Sequence, residues 1–236
     1  MSHSQDNKCQ TVSWAVGDAP LELGPCIAAI GNFDGVHRGH GKVIEAAIDA
    51  ARKAGVAAAA VTFDPHPREF FRHDDVPFCL ADRIEKDRLL AAAGVDRVIH
   101  VTFDDNLRCT DAAAFVTDIL PAIGVTGLFA GSDFAFGRGR GGDIDTINAM
   151  GADIGIKATA VPLLSDENSA VISSSRIRAA LQAGEVGRVV RARAAAQRFA
   201  QPERAVDHVD GAMRGLLELQ ARKLLLADLD ADAFRQ

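Results

Sequence analysis

The run Cys26-Ile27-Ala28-Ala29-Ile30 is apolar throughout and stops at Gly31; after a turn with glycines at 31, 35 and 39, the pattern from Lys42 to Lys53 is helical. A continuous apolar run suits a strand buried on both faces. A glycine-punctuated turn from such a strand into a helix is the building unit of a parallel sheet covered on both sides. The turn also has chemistry of its own. Glycines let backbone N–H groups approach oxyanions, the helix N-terminus favours negative charge, and His37 and His40 stand at its mouth. A polyphosphate fits such a place. Taken alone, a His-x-x-His pair equally suits a solvated loop or half of a metal site. No Cys or His cluster with metal-ligand spacing accompanies it, so no protein-held metal is expected.

The rest of the first 185 residues repeats the alternation. Residues 56–63 read as a strand; their alanines would equally suit a helix, and the sharp Asp64-Pro65-His66-Pro67 turn favours the strand. A helix is expected at 81–93, with Ile84, Leu89 and Leu90 as its apolar residues and Gly94 as its stop. Strands are expected at 97–101, 127–130 and 157–164, and an amphipathic helix at 111–123 with Phe115, Val116, Ile119 and Leu120 toward a core. Further helices are expected at 143–150 and from a Ser173 or Ser174 cap to Gln182. Asp104 and Asp105 read as a solvated loop. The fold class is therefore α/β, with helices flanking a parallel sheet and a ligand site beyond the strands' carboxyl ends.

Composition narrows the partners. With 48% hydrophobic and 25% charged residues the chain has an ordinary core, and a net charge of −6 argues against nucleic acid or an anionic membrane. Four cysteines without regular spacing suggest neither a disulfide framework nor zinc. The polar first ten residues lack the apolar stretch of a secretory signal, and no apolar run reaches the roughly 20 residues of a membrane helix. A cytoplasmic protein acting on small molecules is the expectation.

Three more strings stand at expected strand or helix ends. Thr62-Phe63-Asp64-Pro65-His66-Pro67 places a histidine between two prolines in a rigid loop. Gly131-Ser132-Asp133-Phe134-Ala135-Phe136-Gly137-Arg138-Gly139-Arg140-Gly141-Gly142-Asp143 is a glycine-rich loop with two arginines. Ile172-Ser173-Ser174-Ser175-Arg176-Ile177-Arg178 opens a helix with hydroxyls, free backbone N–H groups and an arginine one turn in, which suits β- and γ-phosphates.

Together with residues 31–40, these strings resemble a known family. His37-Arg38-Gly39-His40 is similar to the His-x-Gly-His signature of the nucleotidyltransferase superfamily, and the wider string 31–40 resembles prokaryotic FAD synthetase, the FMN adenylyltransferase module. Residues 62–67 are similar to its Thr-Phe-x-Pro-His-Pro flavin loop, 131–143 to its Gly-x-Asp-Phe-x-Phe-Gly motif, and 172–178 to its Ile-Ser-Ser-Thr-x-x-Arg signature. The resemblance implies a Rossmann-like nucleotidyltransferase that transfers AMP from ATP to FMN, with Mg²⁺ accompanying ATP. It implies catalytic roles for His37, His40 and Arg178. It implies ATP contacts by Gly31, Asn32, Phe33, Gly39, Asp133, Ser173, Ser174 and Ser175, and FMN contacts by Phe63, Pro65, His66, Pro67 and Phe136. Arg138 and Arg140 would screen phosphate charge. Three positions depart from the family pattern: Ser175 stands for threonine, a mild change; Ala135 stands for a larger polar or basic residue, which bears on flavin phosphate affinity; and Gly41 stands for glutamine, from which weakened activity is expected.

The resemblance covers residues 1–185. Residues 186–236 read as a helical C-terminal tail in which Gly211, Arg214 and Gly215 look like remnants of a riboflavin kinase domain, so kinase activity is expected to be absent. Two rival readings stay open: a remnant that binds nucleotide or flavin without turnover, and a sister nucleotidyltransferase with another phosphorylated acceptor.

Overall fold

The computed structural model describes residues 9–71 and 79–185, within which six parallel strands form one sheet in the order β1-β4-β3-β2-β5-β6. The strands are β1 (Gln10–Trp14), β2 (Cys26–Ile30), β3 (Ala57–Asp64), β4 (Arg97–Thr102), β5 (Val125–Gly131) and β6 (Lys157–Val161). Helix α1 (Arg38–Ala54) links β2 to β3, α2 (Pro67–Phe71) and α3 (Arg83–Ala92) lie between β3 and β4, and α4 (Asp105–Cys109) follows β4. The next helical run is α5 (Ala112–Ala114), a π-helical turn Phe115–Ile119 and α6 (Leu120–Ala122); α7 (Ile144–Gly151) precedes β6 and α8 (Ser174–Gln182) follows it.

Alternation of side chains across the pleat explains why both faces are covered. Ala28, Ile30, Ala59, Val61, Ile99 and Val101 point to one face and pack with Phe115, Val116, Ile119, Leu120 and Ile147. Ala29, Ala60 and Val98 point to the other and pack with Val43, Ile44 and Ala47 of α1 and Leu89 and Leu90 of α3. The alanines of β2 and β3 leave room for close helix approach. Gly55, in the left-handed region at φ 67°, ends α1 and returns the chain to the sheet.

The strand order reverses beside β2: its chain successor β3 lies on one side and β5, reached from β4, on the other. A crevice beyond the carboxyl ends at such a reversal is the general ligand position in open α/β sheets. All the strings singled out above emerge there.

Several expectations need correction. Gln10–Trp14 forms an edge strand paired with β4, where only a polar terminus was read. The strand expected to reach residue 164 ends at Val161, because Pro162 has no N–H for the ladder. Asp104 is not in a simple loop: its carboxylate caps α4 by accepting from the Leu107 N–H at 2.9 Å. Ile84 is 81% exposed, whereas Lys86 is turned in beside Leu89 and Leu90. The tail expected at 186–236 lies outside the described residues.

Candidate active site

The turn between β2 and α1 is held in an unusual conformation. Phe33 (φ 48°), Gly35 (φ 74°) and Val36 (φ 36°) all adopt positive φ, and for a β-branched valine that is a strained state. A Cβ on Gly35 would lie 2.8 Å from Leu80 Cβ, so the turn needs glycine there on both counts. The strain is held by buried contacts: Phe33 and Val36 lie in the core under α1.

His37 caps α1. Its Nδ1 accepts from the His40 N–H at 3.3 Å, which leaves Nε2 as the protonated nitrogen of the neutral ring. The two imidazoles stack at 3.6 Å between centroids, and Phe33 meets His40 edge-on. Burial pushes His37 down to about 4 and pushes His40 well below its ordinary range, with the His37 charge adding to the effect on His40. Both rings are therefore neutral near pH 7. Among the described residues His40 Nδ1 is buried without a hydrogen-bond partner, as is His100 Nδ1 outside the cleft.

Helix α8 arrives at the same place. Ser173 caps it by accepting from the Arg176 N–H at 3.4 Å, and Ser174 donates its hydroxyl to the Asp34 carbonyl at 3.0 Å. A Cβ on Gly39 would lie 3.4 Å from the Ile172 carbonyl oxygen, so the N-termini of α1 and α8 nearly touch. The first intrahelical bonds are Gly41 N–H to His37 and Ile177 N–H to Ser173. The N–H groups of Arg38, Gly39, Ser174 and Ser175 come before them and have no intrahelical partner. Two positive dipole ends thus face one spot.

Asp34, only 3% exposed, joins these parts. Its carboxylate accepts from the Leu80 and Ala81 N–H groups (2.8 and 3.2 Å) and pairs with the Arg178 guanidinium. The sequence reading passed over it, although its place inside the 31–40 string was a visible signal. Arg176, by contrast, is spent on structure, bonding Asp166 and the Ala170 and Val171 carbonyls.

These groups line one cleft of about 1130 Å³. It contains Gly31, Asn32, Phe33, His37, Gly39 and His40 from the first turn, Asp133 from the glycine-rich loop, and Ser173, Ser174, Ser175 and Arg178 from α8. Phe63, His66 and Pro67 line it as well. Pro65 does not: it is exposed and outside the lining, and serves the turn rather than the wall. Phe136 reaches the cleft but is mostly sunk in the core, stacked on Phe134 and tilted against Phe115.

Two lining features were not foreseen. Phe71 and Phe103 join Phe63 in an edge-to-face aromatic wall, with ring centroids 5.8 and 6.2 Å from Phe103. Arg68 and Arg108 add cationic groups to Arg138 and Arg140, giving an anion-seeking cleft in an acidic chain. Arg68 also donates to Ser175 Oγ at 3.2 Å, tying α2 to α8. Among the described residues no group of three or more His, Cys, Asp or Glu could hold a metal ion, and no helix is long and apolar enough to cross a membrane.

A parallel sheet with His-x-Gly-His at the strand-to-helix turn, beside its point of strand reversal, defines a nucleotidyltransferase-type α/β domain. Residues 20–176 match the family model for FAD synthetase, and the chain belongs to that family. It is 38% identical over 161 residues to a bifunctional riboflavin kinase/FMN adenylyltransferase of Pseudomonas fluorescens, covering 68% of this chain and 51% of that protein. It is 34% identical over 159 residues to an FAD synthetase of Listeria monocytogenes, covering 67% and 64%. The chain thus spans about half the length of the first of these relatives. Among solved structures, one described as a macrolide-efflux protein from Streptococcus pneumoniae superposes with a TM-score of 0.68 at 24% identity, over 77% of this chain and 59% of that one. That likeness concerns the fold alone.

Proposed function

We propose that this protein adenylylates FMN: it joins ATP and FMN to give FAD and pyrophosphate. The observation that carries the reading is the meeting of two helix N-termini, a neutral histidine pair and Arg178 at one end of a cleft whose other wall is aromatic. An FMN phosphate oxygen attacks the α-phosphorus of ATP in line, the new P–O bond forms as the bond to the pyrophosphate oxygen breaks, and no covalent enzyme intermediate arises. The nucleophile is already an anion at pH 7, so positioning and charge stabilisation carry the catalysis.

His37 and His40 donate to the α-phosphate as negative charge develops there. Each neutral ring still keeps one N–H to donate, and in His37 that is Nε2–H because Nδ1 accepts from the His40 N–H. Ser173, Ser174 and Ser175 at the start of α8, with Arg178, hold the leaving pyrophosphate; for Ser174 the backbone N–H is the donor, because its hydroxyl is engaged by Asp34. The adenosine end rests against Gly31, Asn32, Phe33 and Gly39, and the isoalloxazine lies against Phe63, Phe71 and Phe103, with His66, Pro67 and Phe136 bounding it. Mg²⁺ accompanying the triphosphate would offset its charge, and the exposed Asp133 carboxylate on the rim would be the residue to hold it. A cytoplasmic location accords with substrates of this kind.

Incubation with FMN, ATP and Mg²⁺ followed by chromatography tests the reading, and a tube with riboflavin in place of FMN tests the absence of kinase activity. FAD in the first tube alone is expected, and His40→Ala should lower turnover about 10²-fold or more. An active His40→Ala variant would remove that residue from the mechanism; no FAD from the unaltered protein would remove FMN as acceptor.

A further inference from the structure

Lys86 is an unexpected core residue. It lies on α3 and is 7% exposed, while Ile84 of the same helix is left in solvent. Its Nζ donates to Thr62 Oγ1 at 3.2 Å and to the Phe63 carbonyl at 3.4 Å. The fully buried Thr62 passes the chain on, donating its hydroxyl to the Asn32 carbonyl at 3.2 Å. One hydroxyl can accept from the amine and donate to the carbonyl at once, so the relay Lys86–Thr62–Asn32 is complete. Asn32 sits in the strained turn, one residue from Phe33 at φ 48°, and Gly31 is bonded to β3 through the Val61 carbonyl at 3.1 Å.

A lysine turned in is unusual for a helix that leaves an isoleucine two residues away in solvent, and its buried acceptors on β3 depend on it for a donor. The charge has a use on the far side of the relay, where a triphosphate would bring several negative charges to the 31–40 turn. Burial pushes the ammonium below its ordinary range, while Asp64, Asp87 and Asp34 favour its charged form.

We propose that Lys86 is a positioning residue for the nucleotide: acting through the Thr62 hydroxyl, it fixes the Asn32 carbonyl and sets the phosphate-binding turn from the α3 side. The inference rests on the reading of that turn as an ATP phosphate site. Its readout is ATP affinity by titration, which does not depend on the acceptor, so a lack of FAD formation would overturn the FMN reading and not this one.

Lys86→Met should still fold, with a lowered urea midpoint, yet bind ATP at least tenfold more weakly. Thr62→Val, which keeps the lysine and removes the relay, should show a loss of the same size, and Thr62→Ser should restore affinity to within about threefold. The double variant Lys86→Met/Thr62→Val should be no weaker than either single one, because both break the same chain. ATP affinity unchanged in Thr62→Val overturns the proposal even if Lys86→Met does not fold. So does a Thr62→Ser variant as weak as Thr62→Val, or unaltered protein that binds no ATP.

Discussion

At position 39 a single hydrogen stands where any other residue would carry a carbon. A Cβ there would lie 3.1 Å from His37 Cε1, 3.2 Å from His37 Nδ1 and 3.4 Å from the Ile172 carbonyl oxygen. The backbone at 39 is helical, so glycine is not needed for its φ; alanine would favour the helix by up to about 1 kcal/mol. Gly39→Ala should therefore leave stability equal or slightly raised while displacing the His37 ring or separating α1 from α8. The expected result is urea midpoints within error of the unaltered protein and at least a tenfold loss in kcat/KM for ATP. A stable and fully active variant would show that the close approach of the two helix starts has no functional use. Asp34 poses the complementary case, since its carboxylate satisfies two backbone N–H groups and one guanidinium and any neutral replacement leaves some of them short.

Among the elements, α8 tests whether a helix start is there for the fold or for the ligand. Ser173→Ala removes the cap to the Arg176 N–H and should cost about 1 kcal/mol in urea unfolding. Ser173→Asp keeps a capping oxygen, so stability should stay near that of the unaltered protein, but it puts a carboxylate where the pyrophosphate is proposed to sit. At least a tenfold weakening of ATP binding in Ser173→Asp alone is expected; equal binding in all three proteins would place the triphosphate elsewhere. The start of α8 was legible because serine at a helix start has a local cause. So were the apolar strands β2, β3 and β4, whose pattern reflects burial on both faces. Other elements had no such cause in their own residues. β1 is an edge strand whose first residues are exposed, and it exists because β4 offers it a ladder. The π-helical turn Phe115–Ile119 keeps the same buried residues that a regular helix would, so the apolar pattern cannot reveal it. The burial of Lys86 left no signal in its own helix, because the period marks apolar side chains and its partners are polar groups on β3. The aromatic wall was only half visible, since Phe63 lies in a motif while Phe71 and Phe103 come from segments with no signature.

For the molecule as a whole, the histidines set how the fold answers to acid. His37 falls to about 4 through burial, from 6.5 in the unfolded chain. Burial also lowers His40, His66 and His100, although Asp87 at 2.6 Å opposes the effect at His100. A histidine lowered in the folded state binds fewer protons there than when unfolded. Its penalty is absent above about pH 6.5, and stability is lost as pH falls through that value toward the folded one. The carboxylates Asp143 and Asp166, also lowered, act in the same direction but only nearer their own range below pH 4. Between pH 6.5 and 5 the loss thus belongs mainly to the imidazoles. His37 alone should account for about 2 kcal/mol at pH 5 relative to pH 7.5. His37→Asn isolates that share, because asparagine is a good N-cap for α1 and does not titrate. Urea unfolding at the two pH values should give a drop for His37→Asn smaller by about 2 kcal/mol than for the unaltered protein. An equal drop in both would mean that the site accepts a proton on His37 without cost. The neutral histidine pair on which the proposed phosphate chemistry depends would then not be a property of the folded chain.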